Sequence, residues 1–299
     1  MHRIISPKIQ PLINQYIKSP TTIAAIYTQY LRCETRTRNC DNPVNHRFHT
    51  RFQVAKPAAM LGGHCVSNAP KLDSSCGAGT VEEFAGLKTY FTGARDSTKA
   101  VLLCHDAFGY EVPNLRKLAD RIAGHGYLVV VPDFFYGEPC DLSKPGFDVE
   151  VWFNTHHPRK GSEDAKKVVA ALKAQGVTKI GAAGFCWGGL PVVVLASNPD
   201  WIQAGVIFHP VALTEDDMRA VKVPLAIYAP ENDEFFPVDE LHRLAKIVVE
   251  ETPAECHHKI YPGTVHGWTT RFNEEDAVAC QKAEEAHCDL LDWITKYVK

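Results

Sequence analysis

No run of about 18 apolar residues occurs in the 299-residue chain, so its sequence offers no transmembrane helix and no membrane partner. Near the start there is no compact apolar block of about 7–15 residues such as a secretory signal carries. Without that export context, the even count of ten cysteines does not read as a disulfide framework. No C-x-x-C pair occurs, which argues against a zinc site or a thioredoxin-type motif. The cysteines are scattered, and some, such as Cys104 and Cys256, sit inside apolar runs. They read as reduced thiols of a cytoplasmic or organellar protein. No internal repeat is evident.

Acids are scarce at the beginning. Residues 1–59 hold nine Lys and Arg against Glu34 and Asp41, leaving 23 bases and 33 acids in the remainder of a chain whose net charge is -3. An acidic body does not suit a nucleic acid, whose affinity comes largely from phosphate neutralisation. The basic, Ser/Thr-containing stretch 1–59 has the composition of a chloroplast or mitochondrial transit peptide, or of a disordered extension. Residues 60–80, rich in Gly, Ser and Cys, read as an arm or linker, and 81–299 as the functional domain. With 45% hydrophobic and 22% charged residues, the chain has an ordinary globular composition and can bury a sizeable core.

What is present is an alternation of strands and helices. Residues 87–92 alternate and suggest an edge strand, and 100–104 and 127–131 are continuous apolar runs, as in strands covered on both faces. Leu115, Leu118 and Ile122 recur at helical spacing, as do Ala165, Val168, Val169 and Leu172. Further strands are expected at 179–183, 204–208, 225–229 and 258–261, and further helices at 190–196, around Leu241 and Val248, and over 273–297. This pattern predicts an α/β protein with a mainly parallel central sheet and helices on both faces, binding its ligand at the carboxyl ends of the strands. The long stretch 134–159 carries Phe134, Phe135, Tyr136, Phe147, Trp152 and Phe153. Such a loop can be a lid lining an apolar pocket, although core packing around a short helix suits any one of these aromatics better.

Four segments carry chemistry. Gly184-Phe185-Cys186-Trp187-Gly188-Gly189 follows a predicted strand and opens a predicted helix, the form of a nucleophile elbow with Cys replacing Ser. The amino end of the helix favours the thiolate, and the Trp187 N–H is a natural oxyanion donor. Asp233 follows an apolar strand and can orient a histidine, with Glu231 and Glu234 as nearby competitors. His266 lies in the loop before the last helix. Nucleophile, acid and His occur in the α/β-hydrolase order, which outweighs the bland reading of each as a buried thiol, a solvated acid and a surface His. The segment Cys104-His105-Asp106-Ala107 follows an early strand, where this fold draws its second oxyanion N–H, here that of Ala107. His105 is an alternative base, but a structural role suits it better.

The G-F-C-W-G-G, E-N-D, V-H-G-W and D-A-F-G motifs resemble those of the dienelactone hydrolase (carboxymethylenebutenolidase) family over about residues 80–299. Residues 105–135 are similar to its eukaryotic, plant-like branch, some members of which are labelled endo-1,3;1,4-β-D-glucanases. The resemblance implies an α/β-hydrolase fold, no cofactor and no metal, and a triad of Cys186, Asp233 and His266. Asp106 stands where bacterial members carry the longer Glu that controls the proton state of the nucleophile. Arg271 corresponds to a partner for a substrate carboxylate, though no second Arg of that kind is found. Phe135 and Trp268 complete the expected substrate-binding set.

The expected activity is hydrolysis of a small ester or lactone through a thioester, by a monomer or homodimer. Three rivals stand beside it. A glucanase needs two carboxylates about 5–9 Å apart, a ligand receptor needs only the scaffold, and a thiol redox protein needs a resolving Cys that the sequence does not point out. The pairs His156-His157 and His257-His258 read as surface residues, and His209-Pro210 as the shaper of a turn.

Overall fold

A computed structural model of the protein describes residues 68–299. The expected basic extension 1–59 lies outside the described residues. The described residues begin as coil and form their first strand at the end of the expected linker.

One eight-stranded sheet runs in the order β1-β2-β4-β3-β5-β6-β7-β8. Its strands are β1 (Thr80–Phe84), β2 (Leu87–Thr92), β3 (Lys99–Cys104), β4 (Leu128–Pro132), β5 (Lys179–Phe185), β6 (Ala204–Phe208), β7 (Leu225–Asn232) and β8 (Cys256–Val265). β1 and β2 pair antiparallel, as do β2 and β4, and every later pairing is parallel. The helices are α1 (Pro113–Ala123), α2 (Val149–Thr155), α3 (Pro158–Ala174), α4 (Gly189–Ala196), α5 (Glu215–Arg219), α6 (Val238–Glu251) and α7 (Ala277–Tyr297).

The register shows that both faces are covered. Ala182 of β5 pairs with Gly205 of β6, so Gly181 points to the opposite face from Gly205. A side chain at Gly181 would run into Ile294 and Val298 at the α7 end, whereas one at Gly205 would meet Val192 of α4. The buried, continuously apolar strands β4 and β6 follow from this double cover. α4 is buried almost all round, in keeping with its sequence Gly-Leu-Pro-Val-Val-Val-Leu-Ala. The sequence order of the strands reverses around β3, which lies between β4 and β5. In a doubly wound sheet that reversal opens a crevice at the carboxyl edge.

Three expectations change in detail. Residues 87–92 are paired on both sides, and the edge is β1. β1 is exposed along most of its length and so lacks a readable apolar pattern. It folds back through Ala85-Gly86, both at positive φ (55° and 83°), a two-residue hairpin turn without the usual Asn-Gly signature. The last strand is longer than 258–261 because β8 continues through Pro262-Gly263, which an edge strand tolerates. The terminal helix starts at Ala277 rather than at 273, because the Asp276 carboxylate accepts the N–H groups of Val278 and Ala279 and so caps it. Within 134–159, α2 buries Trp152 and Phe153, the packing around a short helix that suited these aromatics. No helix among the described residues is long and apolar enough to cross a membrane.

Candidate active site

Five strand ends meet at the carboxyl edge. β5 delivers Cys186, β7 delivers Asp233, β8 delivers His266, β3 delivers Asp106 and Ala107, and β6 delivers His209.

The turn at Cys186 is built by its neighbours. β5 ends at Phe185, a single 3₁₀ turn covers Cys186–Gly188, and α4 follows at once. Cys186 sits in the left-handed region at φ 52°, a strained place for a residue with a Cβ. A side chain at Gly184 would collide with the Gly188 carbonyl, and one at Gly188 with the carbonyls of Cys104 and His105. Only glycine lets the elbow close onto itself and onto the end of β3. Cys186 is 1% exposed. The Trp187 indole donates to the His156 carbonyl at 2.5 Å, and its ring packs edge-on against Phe135, with centroids 4.8 Å apart.

Asp233 and His266 form a tight pair, with His266 Nδ1 2.7 Å from Asp233 Oδ2. The other oxygen of Asp233 accepts the Phe235 and Phe236 amides at 2.9 and 3.2 Å. Burial works against this carboxylate, but the hydrogen bond and charge of His266 and the Phe235 amide outweigh it and hold the carboxyl below its usual range. Burial likewise opposes a charge on His266. The attraction of Cys186 and the hydrogen bond to Asp233 prevail, and the imidazole is pushed up to about 9. Cys186 hydrogen-bonds to His266, so sulfur, imidazole and carboxylate form a continuous chain.

Asp106 lies on the other side of the thiol. Its Oδ1 accepts the Phe108 amide at 2.9 Å, and Oδ2 meets Thr270 Oγ1 at 3.3 Å and Arg271 Nε at 3.3 Å. Burial pushes its carboxyl upward against the pull of Arg271, and the nearby Cys186 adds to the rise. Arg271 is thus occupied by Asp106 and is itself buried. It also borders a cavity of about 630 Å³ lined in part by His266, Trp268, Thr270, Lys71 and Lys282. Phe135 is buried behind Trp187 and lines a separate, smaller hollow.

The Asp133 carboxylate accepts the amides of Phe135 and Gly137 and so fixes the start of the aromatic loop. His105 is structural in its contacts: its Nδ1 faces the Asp106 carbonyl at 2.8 Å and its Nε2 accepts the Phe134 amide at 3.1 Å. His156 is not a free surface residue, since its ring stacks on Trp152.

His209 was legible only as part of a turn, and the turn is there: its φ is 37°, and the Val211 amide reaches the Cys186 carbonyl at 3.4 Å. The same strained residue also places its fully buried ring 4.6 Å from that of His266. Cys186, His209 and His266 present sulfur and nitrogen atoms within 4.8 Å of one another, a set able to hold a metal. Burial pushes the Cys140 thiol up, and Asp106 and Cys186 lie close enough to add to the rise. Neither neighbour carries a motif, so only the packing of loops distant in sequence reveals them.

The model of the dienelactone hydrolase family matches residues 87–298. A Zea mays protein named endo-1,3;1,4-beta-D-glucanase is 36% identical over 217 residues, covering 73% of this chain but 63% of that relative. The chain thus spans less than two thirds of the maize protein's length. A Mus musculus carboxymethylenebutenolidase homolog is 35% identical over 217 residues, covering 71% of this chain and 88% of its own. Among solved structures, a dienelactone hydrolase-like promiscuous phosphotriesterase from metagenomic libraries superposes with a TM-score of 0.54 at 20% identity, over 72% of this chain and 98% of its own. The dienelactone hydrolase of Anabaena variabilis does so with a TM-score of 0.52 at 17% identity, over 74% and 97%. At such identities these two likenesses speak for the shared fold.

Proposed function

The chain belongs to the dienelactone hydrolase family, and from that premise we propose that it hydrolyses a small ester or lactone through Cys186, with His266 and Asp233 completing the triad. The observation that carries this reading is the unbroken chain from the Cys186 thiol through His266 to Asp233 Oδ2, the last link 2.7 Å long. Cys186 attacks the carbonyl carbon as a thiolate that the His266 imidazolium stabilises. The Trp187 and Ala107 amides, at the ends of β5 and β3, receive the developing oxyanion; one such donor is worth about 3–4 kcal/mol. His266 gives its proton to the leaving oxygen, and a thioester remains on Cys186. His266 then takes a proton from water, which attacks the thioester and frees the acid. Asp233 keeps the imidazole oriented and stabilises its cation. The neighbouring cavity of about 630 Å³, which His266 and Trp268 line and Cys186 does not, falls in the size range of small-molecule pockets, roughly 300–1,000 Å³.

The test is hydrolysis of a panel of small esters and lactones by wild type, Cys186→Ala and His266→Ala, with intact-mass measurement of the protein during turnover. Turnover lost in both variants, with an acyl adduct on the wild type, is the expected result. Release of reducing sugar from a mixed-linkage β-glucan that survives Cys186→Ala would overturn it in favour of the activity for which the maize relative is named.

A further inference from the structure

β6 brings a group into the site that the proposed hydrolysis does not use. His209 is fully buried and held at φ 37°, a strained conformation that the surrounding structure must enforce. Its Nε2 lies 3.2 Å from Thr269 Oγ1, and its Nδ1 is buried without an oxygen or nitrogen partner. The Cys186 thiol is a neighbour with which the ring interacts.

We propose that Cys186, His209 and His266 form a three-ligand site for zinc or a similar borderline-soft divalent metal, which reversibly silences the enzyme. The inhibition rests on Cys186 being the nucleophile, whereas the binding does not. The donor set is one sulfur and two imidazole nitrogens, all buried and within 4.8 Å of one another. Thiolate and imidazole select zinc-like metals, and magnesium and calcium want oxygen donors instead. Around tetrahedral zinc, with bonds of about 2.3 Å to sulfur and about 2.0–2.1 Å to nitrogen, neighbouring donors stand roughly 3.3–3.6 Å apart. The set therefore closes by side-chain adjustments on the order of 1 Å.

The surroundings resemble those of working zinc sites. A zinc-bound histidine commonly gives its outer nitrogen to a carboxylate or another oxygen, which fixes the ring. His266 does this through Nδ1 to Asp233 at 2.7 Å, leaving Nε2 for the metal. His209 does it through Nε2 to Thr269, leaving Nδ1. Three protein ligands leave the fourth position for water. On binding, the one proton shared by Cys186 and His266 departs to solvent, and no electron moves. The metal then occupies both the attacking sulfur and the nitrogen that shuttles the proton, so turnover stops until a chelator removes it.

The experiment titrates the full, metal-free chain with cobalt(II) as a spectroscopic probe and with zinc(II) as inhibitor. The expected result is one cobalt per chain, with a sulfur-to-cobalt charge-transfer band and intense tetrahedral d–d bands. That signal should vanish in Cys186→Ala and need at least about tenfold more metal in His209→Gln and in His266→Gln. Zinc should inhibit the wild type reversibly, and its inhibition constant should rise at least about tenfold in His209→Gln. Absence of the charge-transfer band, or one that His209→Gln and His266→Gln both leave unchanged, overturns the proposal. If the wild type hydrolyses no ester yet gives the cobalt signature, the hydrolase reading fails and the metal site stands. Turnover without the signature has the opposite meaning.

Discussion

Asp233 and Asp106 are buried carboxylates on two sides of one thiol, and their environments drive them apart. Asp233, hydrogen-bonded by His266 and two amides, is held low, whereas burial and the proximity of Cys186 push Asp106 up. Two like groups with opposed shifts are suited to different tasks: Asp233 to staying ionised behind the imidazole, and Asp106 to responding to a charge on sulfur. The raised pKa of His266, about 9 against an ordinary 6.5, keeps it protonated through neutral pH and lets it lose the proton only as pH rises through about 9. The rate of an ion-pair mechanism therefore falls on the alkaline side near that value. Asp233→Asn removes one cause of the rise, so the alkaline limb of kcat/KM should move to lower pH, with kcat down by about 10³–10⁴-fold. An unmoved limb in the pH profile would separate His266 from the titration. That Cys186, Asp233 and His266 come together at the carboxyl edge was legible in the sequence because chain order and strand-end context reinforced one another. His209 was not, because an H-P pair after a strand has a sufficient explanation as a turn, and nothing local says that its ring meets Cys186. Arg271 read as a hand for substrate; it borders the cavity, and its contact with Asp106, a pairing between β3 and β8 loops far apart in sequence, could not be read from either segment.

Among the elements, the elbow is the most legible because its glycines do steric work that no other residue can do. Gly188→Ala would drive a methyl into the carbonyls of Cys104 and His105 and push the elbow away from β3. The expected cost is about 1–3 kcal/mol of stability and a fall in kcat/KM of at least about 10²-fold, since misplacing the reacting group by about 1 Å has that effect. Gly126→Ala is the control: its φ of 85° makes alanine strained, but no atom lies within 4 Å of the added carbon. It should cost a similar 1–2 kcal/mol or so and leave kcat/KM unchanged. Urea melts paired with ester kinetics on both variants distinguish general destabilisation from damage to the elbow. The less legible elements are those whose signal is not periodic. β1 is exposed and turns through Ala-Gly, and the start of α7 is decided by one capping side chain, Asp276.

Over the whole molecule, the buried crevice that assembles the site also buries histidines. His105, His209 and His287 are enclosed, and burial pushes each down to about 4 from an ordinary 6.5. Their bonding suits neutral rings: His105 Nε2 accepts the Phe134 amide, and His287 Nε2 donates to the Thr269 carbonyl at 2.9 Å. The sign follows from where the protons bind. Between about pH 6.5 and 4 the unfolded chain protonates these imidazoles and the folded one does not, so stability present above 6.5 is lost as pH falls, by up to about 1.4 kcal/mol per pH unit for each histidine. His266 shifts the other way and is protonated in both states over most of this window, so it adds little to the slope there; its own contribution is lost between about 6.5 and 9. The protein should therefore lose several kcal/mol of stability between pH 6.5 and 4.5, before most carboxylates titrate. Denaturant melts across that range check this, and His287→Gln, which can keep the bond to Thr269, should flatten the slope by about one proton's worth. A stability that stays level from pH 6.5 to 4.5 would mean that the folded protein takes up these protons as readily as the unfolded chain, and that the enclosure of the three rings opens at little cost.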